Sequence, residues 1–175
     1  MNDYNNLELI GGNNQKVYRA KNGYSDSVIK VLEPELHADS PHHDWNVDER
    51  IEASVNAYRT FPDLFPETEK IAENAVKQEY VNEGITFGKA LQSGDYSALN
   101  EIFSNLKRVH DNGYIHGDIS SDNLATGKLS VDTETFGPGD YRHDIRKALK
   151  IAEEKNSAEL FSSVISDVYG KISLN

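Results

Sequence analysis

The sequence predicts an α+β fold in which a small antiparallel sheet carrying one helix comes first and a reduced helical part follows. Three observations predict it. The first third of the chain has strand-like segments, L-E-L-I (7–10), K-V-Y-R-A (16–20) and V-I-K-V-L (28–32), separated by turn compositions. From about Asp95 the pattern becomes helical, with Leu99, Ile102, Phe103, Leu106 and Val109 on one stripe. The last third, from Tyr141, is helical twice over, in R-K-A-L-K-I-A-E-E and A-E-L-F-S-S-V-I-S-D-V-Y.

The elements follow in order. G-G-N-N (11–14) and K-N-G-Y-S-D (21–26) supply two hairpin-like connections between the first three strands. The polar stretch 37–46 leads to V-D-E-R-I-E-A-S-V-N-A-Y-R (47–59), where Ile51, Val55 and Tyr58 mark a helix face. P-D-L-F-P (62–66) ends that helix. Two more strands are expected around 67–72 and 75–81, with Glu73-Asn74 between them. The boundary falls near 82–85, so residues 1–81 form the sheet lobe and 82–175 the helical lobe of one domain. Asp111-Asn112-Gly113 supplies the C-cap of the long helix. Two short strands are expected around T-G-K (126–128).

Composition narrows the function. The 175 residues suffice for one compact domain or two small lobes sharing a cleft. A formal net charge of −11 argues against a protein that tracks nucleic-acid backbone, which needs a basic stripe. With no cysteine, disulfides and thiolate zinc sites are impossible, and a reducing compartment is the plain expectation. No run approaches the roughly 18 apolar residues a membrane span needs, so no membrane partner is expected. M-N-D-Y-N-N-L has no basic region followed by an apolar stretch, so no ordinary secretion signal is expected.

The polar residues carry the chemistry. I-H-G-D-I-S-S-D-N (115–123) gathers Asp118 and Asn123 into one loop. Lys30 lies inside an apolar strand, where a cation costs free energy unless an anion meets it. The following helix offers Glu52 or, nearly one turn earlier, Glu49 as that anion. V-D-T-E-T-F-G (131–137) brings Asp132 and Glu134 to a strand end. These parts suit phosphoryl transfer: a cation for nucleotide phosphates, a helix acid to hold it, oxygen ligands for Mg²⁺, and a carboxylate to orient the attacking hydroxyl.

On these motifs the chain resembles the protein-kinase-like phosphotransferases over nearly its whole length. H-G-D-I-S-S-D-N is similar to the kinase catalytic loop H-R-D-x-x-x-x-N, in the H-G-D form of aminoglycoside phosphotransferases, choline-kinase relatives and small atypical kinases. The resemblance implies a two-lobed minimal kinase-like fold with ATP and Mg²⁺ as cofactors. It implies Asp118 as catalytic base, Lys30 as the phosphate lysine paired with Glu52, and Asn123 and Asp132 as metal ligands with Glu134 as a helper. Gly11, Gly12 and Val17 would cover the nucleotide, and Glu79, Tyr80 and Val81 would meet adenine as the hinge. Asp144 resembles the structural aspartate that follows the metal motif.

Two departures matter. G-G-N-N-Q-K-V lacks the full G-x-G-x-x-G pattern. Only six residues separate Gly137 from Asp144, which leaves no room for an activation segment. Several residues take plainer readings: His116 braces its loop, Asp122 is solvated, and His37, His42, His43 and Asp44 belong to a surface loop capping the next helix rather than a metal site.

The expected activity is transfer of the ATP γ-phosphate to Ser or Thr of a protein, since only 31 residues follow Asp144 and little walls the acceptor side. A kinase of small hydroxyl compounds is the alternative, and a pseudokinase binding module is disfavoured by the retained polar residues. The expected location is cytoplasmic, or inside a host cell if the chain is an effector exported by a cryptic signal.

Overall fold

The structure, a computed structural model, describes residues 7–11, 15–22, 25–34, 41–42, 44–81 and 84–172. Among them the chain forms β1 (Leu7–Gly11), β2 (Gln15–Asn22), β3 (Ser25–Leu32), α1 (Val47–Thr60), β4 (Thr68–Ala72), β5 (Ala75–Glu79), α2 (Phe87–Ser93), α3 (Tyr96–Asp111), β6 (Tyr114–Ile115), β7 (Gly137–Pro138), α4 (Arg142–Glu154) and α5 (Ala158–Tyr169). The class is α+β, with a sheet part followed by a helical part.

The first five strands form one antiparallel sheet in the order β1-β2-β3-β5-β4. Lys30 of β3 lies opposite Val17 of β2 and Val76 of β5. Directly opposed residues share a sheet face, so the Lys30 side chain stands on the face that carries Val17 and Val76. The same face receives α1, through a small core of Leu32, Ile51 and Val76. Helix α1 begins at a reciprocal cap. The Glu49 N–H donates to Asn46 Oδ1 (3.1 Å), and the Asn46 N–H donates to Glu49 Oε2 (2.8 Å).

The larger core belongs to the helical part. Leu99, Ile102, Phe103 and Leu106 of α3, at helical spacing, are wholly buried against Phe87 of α2 and Phe161 of α5. The rings of Phe87 and Phe103 meet edge to face at 5.3 Å between centroids, and those of Phe103 and Phe161 at 5.1 Å. Phe61, Phe65 and Phe136 continue this core to the end of α1, so the sheet part and the helical part share buried side chains.

Three local features differ from the sequence reading. Helix α2 was not expected; its seven residues are too few for a helical period to stand out. It is defined by its ends, a Thr86 side-chain cap and Gly94 at φ 68°. The two strands expected around 126–128 are only isolated bridges, Thr86 with Ala125 and Leu124 with Ser130. The short strands form instead as β6 and β7, whose pairing spans more than twenty residues and leaves no local pattern. Only Gly139, Asp140 and Tyr141 lie between β7 and α4. Among the described residues no helix is long and apolar enough to cross a membrane.

Candidate active site

The loop from His116 to Asn123 is built around two polar struts. Gly117 adopts φ 83°, and a Cβ there would stand 2.6 Å from the Thr135 carbonyl oxygen. The loop therefore needs glycine between its histidine and its aspartate. His116 is fully buried. Its Nδ1 accepts the Asp118 backbone N–H (3.2 Å), which puts the imidazole proton on Nε2, facing Ser130 Oγ at 2.7 Å. Ser130 Oγ also accepts the Asp132 backbone N–H (3.1 Å) and donates to the Asp132 carbonyl (3.1 Å). Burial lowers the His116 pKa and outweighs the nearby carboxylates, so the ring stays neutral in this role. One imidazole thus ties the backbone of Asp118 to the backbone of Asp132, fourteen residues away.

Asn123 folds back onto the start of the loop. Its Nδ2 donates to the Asp118 carbonyl (2.9 Å) and to Asp118 Oδ2 (3.1 Å). Ser120 Oγ accepts the Asn123 N–H (3.1 Å) and closes the turn. The five-residue offset is the span of this turn. With Nδ2 committed to Asp118, the amide oxygen is the Asn123 atom left for a cation.

Lys30 reaches across from the sheet. Its ammonium donates to the Val131 carbonyl and stands 3.7 Å from Asp132 Oδ1. The second carboxylate oxygen of Asp132 accepts from Gln15 Nε2 at 3.4 Å. Asp132 Oδ1 and Gln15 Oε1 are buried with no hydrogen-bond partner. Buried acceptors without hydrogen-bond donors are costly, and this carboxylate oxygen with the Gln15 amide oxygen forms an oxygen set that suits a hard cation. Among the described residues no three His, Cys, Asp or Glu side chains cluster as a ready metal cage. Mg²⁺ needs no such cage, since it is held by one or two carboxylates together with phosphate oxygens and water. Asp132 and the Asn123 amide oxygen are the oxygen donors here that could hold such a cation.

Glu134 has a different partner from the one the resemblance implied. Arg50 of α1, fully buried, donates from Nε to Glu134 Oε2 at 2.7 Å, adds a second bond to the same oxygen, and donates to the Glu33 carbonyl. Burial raises the Glu134 pKa, the Asp132 charge adds to that, and Arg50 opposes both. Glu134 Oε2 is committed to this guanidinium.

The expected Lys30–Glu52 pair is not formed. Glu52 is exposed, in a polar stripe with Asp48, Asn56 and Arg59, while Arg50, Ile51, Ser54 and Ala57 form the buried face of α1. The alternative, Glu49, is used in the helix cap. The helical period puts Glu52 at the flank of the Ile51–Val55 stripe, so its exposure was decided by how α1 packs and not by the sequence period. Arg50 has no signal in the sequence, because a charged residue sits on a buried helix face only where a distant partner, here Glu134, meets it.

Asp144 stands where its resemblance implied a structural aspartate. It is fully buried in the first turn of α4 and accepts the N–H groups of His116 (2.8 Å) and Gly117 (3.0 Å). Its third partner is His110 of α3, whose Nε2 lies 3.0 Å from Oδ2. Burial alone would raise the Asp144 pKa, but the hydrogen bonds from His110 and from the His116 N–H hold it below the usual carboxylate range. His110 Nδ1 in turn meets the Tyr169 hydroxyl at 2.9 Å, and burial pushes that hydroxyl pKa up, so it remains a donor.

The remaining expected residues are placed as follows. Val17 is half-buried on the Lys30 face. Gly11 is exposed at the end of β1, and Gly12 lies outside the described residues. In the expected hinge, the Glu79 N–H is already bonded to the Glu67 carbonyl (2.8 Å) and the Tyr80 N–H to the Asp26 carbonyl (3.1 Å). Those two amides continue the pairing of β5 toward its two neighbouring strands and are not free for a ligand. The Tyr80 ring lies under the Arg19 guanidinium, 4.0 Å from its centroid. His42 stacks on Trp45 (3.8 Å between centroids) just before α1, while His37 and His43 lie outside the described residues.

Gln15 and Ser130 were also missed. Ser130 had a signal, since a small hydroxyl residue immediately before V-D can pair with the loop histidine. Gln15 had none, because its approach to Asp132 joins positions 117 residues apart. Compared with known proteins, the chain matches no protein-family model and no curated protein.

Proposed function

We propose that this chain is an ATP- and Mg²⁺-dependent phosphotransferase of minimal kinase-like, two-lobed fold. The observation that carries the reading is one buried imidazole that ties the backbone of Asp118, bonded to Asn123, through Ser130 to the backbone of Asp132, which Lys30 meets. A chain that only bound a partner would have no use for an exposed carboxylate braced to a second carboxylate that has one buried oxygen without a hydrogen bond and a strand lysine beside it. Bound Mg²⁺ would neutralise phosphate charge and hold the γ-phosphoryl group in line. Asp132 and the Asn123 amide oxygen would hold it. Lys30 meets phosphate oxygens from the sheet side. Asp118 orients the acceptor hydroxyl and takes its proton.

The acceptor side supports a protein hydroxyl, Ser or Thr, over a small enclosed substrate. The Asp118 side chain is 42% exposed. The start of helix α2 is anchored at the far end of the loop from Asp118: the Phe87 N–H donates to the Leu124 carbonyl and the Gly88 N–H to the Ser121 carbonyl, both at 2.8 Å.

The test is incubation of the purified chain with γ-labelled ATP and Mg²⁺, beside Asp118→Asn. The amide keeps the shape of the carboxylate but accepts a proton poorly, so transfer should fall by roughly 100-fold or more while ATP affinity is retained. Label on protein supports the protein-kinase form, label on an added small hydroxyl compound supports the alternative, and native turnover in Asp118→Asn overturns the assignment of the base.

A further inference from the structure

Helix α4 meets the loop in a defined register. Asp144 holds the backbone of His116 and Gly117, and Ile145 and Ala148 are buried behind it. Residues three apart on a helix share a face, so the side chain at 147 comes beside the next residue of the loop. It is a lysine, and its ammonium stands 3.3 Å from Asp118 Oδ1. The two oxygens of Asp118 therefore have different neighbours. Oδ2 accepts from the Asn123 amide within its own loop, and Oδ1 faces an ammonium from another element. The side chains of Lys147 and Asp118 are 27% and 42% exposed, so an incoming group can reach this edge. A pair so exposed contributes little to stability. In a chain of net charge −11, a cation against the proposed base is not a product of general basicity.

We propose that Lys147 is a further catalytic residue, the cation that faces the transferring phosphoryl group from the acceptor side; this rests on the phosphotransferase reading. In the step, the acceptor O–H gives its proton to Asp118, and its oxygen forms a bond to the γ-phosphorus. The bond from that phosphorus to the β–γ bridging oxygen breaks, and the electron pair leaves with the nucleoside diphosphate. Negative charge is spread over the equatorial phosphoryl oxygens as this happens. An acceptor oxygen within hydrogen-bond reach of Asp118 Oδ1 brings those oxygens to the Lys147 ammonium, where fixed charge stabilises them. Lys30 does not serve this place, since its ammonium lies at the Val131 carbonyl and Asp132, on the sheet side, and not beside Asp118.

The experiment uses the full chain, γ-labelled ATP with Mg²⁺, and release of phosphate to water together with self-labelling as readouts. Affinity for a fluorescent ATP analogue and the melting temperature are measured alongside. Lys147→Met is expected to lower turnover by roughly 100-fold with nucleotide affinity and melting temperature unchanged. Lys147→Arg, which keeps the charge, is expected to recover part of that loss. Native turnover in Lys147→Met, with Asp118→Asn inert, overturns this inference and leaves the phosphotransferase reading standing. A loss of nucleotide affinity that matches the loss of turnover also overturns it, because the cation then serves ground-state binding. Absence of turnover in the unaltered chain overturns the reading and this inference together.

Discussion

At Gly117 two constraints coincide. The backbone is left-handed at φ 83°, and a Cβ would approach the Thr135 carbonyl oxygen to 2.6 Å. Gly113 offers the comparison, because its φ is 81° but nothing stands within 4 Å of a Cβ there. Gly113→Ala should cost only the conformational penalty, about 1–2 kcal/mol. Gly117→Ala carries the same penalty and also pushes Thr135, whose hydroxyl donates to the His116 carbonyl at 2.8 Å. It should therefore destabilise the chain more than Gly113→Ala, by urea denaturation, and displace Asp118. Equal losses in the two variants would show that the Thr135 contact does not constrain the loop.

The next scale is the element, and there α1 is bound to the loop after Val131 by a buried charge. Arg50 is fully buried, and its partner Glu134 is nearly so. Removing one member of such a pair leaves an uncompensated charge, which costs about 3–5 kcal/mol. Arg50→Met should destabilise by that order in urea titrations. Adding Glu134→Gln to Arg50→Met should recover part of the loss, because the stranded charge is then gone. If Arg50→Met unfolds at the native midpoint, the pair does not hold α1 against the loop. The polarity explains why Lys30 has no helix acid: the helix supplies the cation, and the loop supplies the anion.

For the whole molecule, the Tyr169–His110–Asp144 chain joins α5, α3 and α4 to the backbone of the candidate catalytic loop. The folded-state pKa of Asp144 lies below its unfolded value, which is about 3.9 for aspartate. The folded state therefore holds fewer protons on this group than the unfolded state as pH falls past that value. The stabilisation is fully present above the ordinary aspartate range and is lost as pH falls through the folded-state pKa. Asp144→Asn should cost about 1.5–3 kcal/mol near neutral pH through its lost charge-assisted hydrogen bonds. It should also flatten the acid limb of the curve of unfolding free energy against pH. A variant that keeps the native acid limb would assign that limb to other carboxylates.

How much of this was legible in the sequence depends on distance along the chain. The alternation at 7–32 and the helical stripe from Leu99 to Val109 predicted β1 to β3 and α3, because solvent and core act on neighbouring residues with the period of the element. Asp118, Asn123, Asp132 and Lys30 were legible as a group because each sits in a short motif of polar residues against apolar flanks. Helix α2 and the pair β6–β7 were not, since one is too short to show a period and the other pairs residues far apart. Only the tertiary structure decided the partners: Arg50 rather than Glu52 at the buried face, Glu134 with Arg50, Gln15 on Asp132, and Lys147 on Asp118. Each of those contacts joins side chains from different elements. Burial requires that a charge find a partner, but only the packing of the elements selects which one it meets.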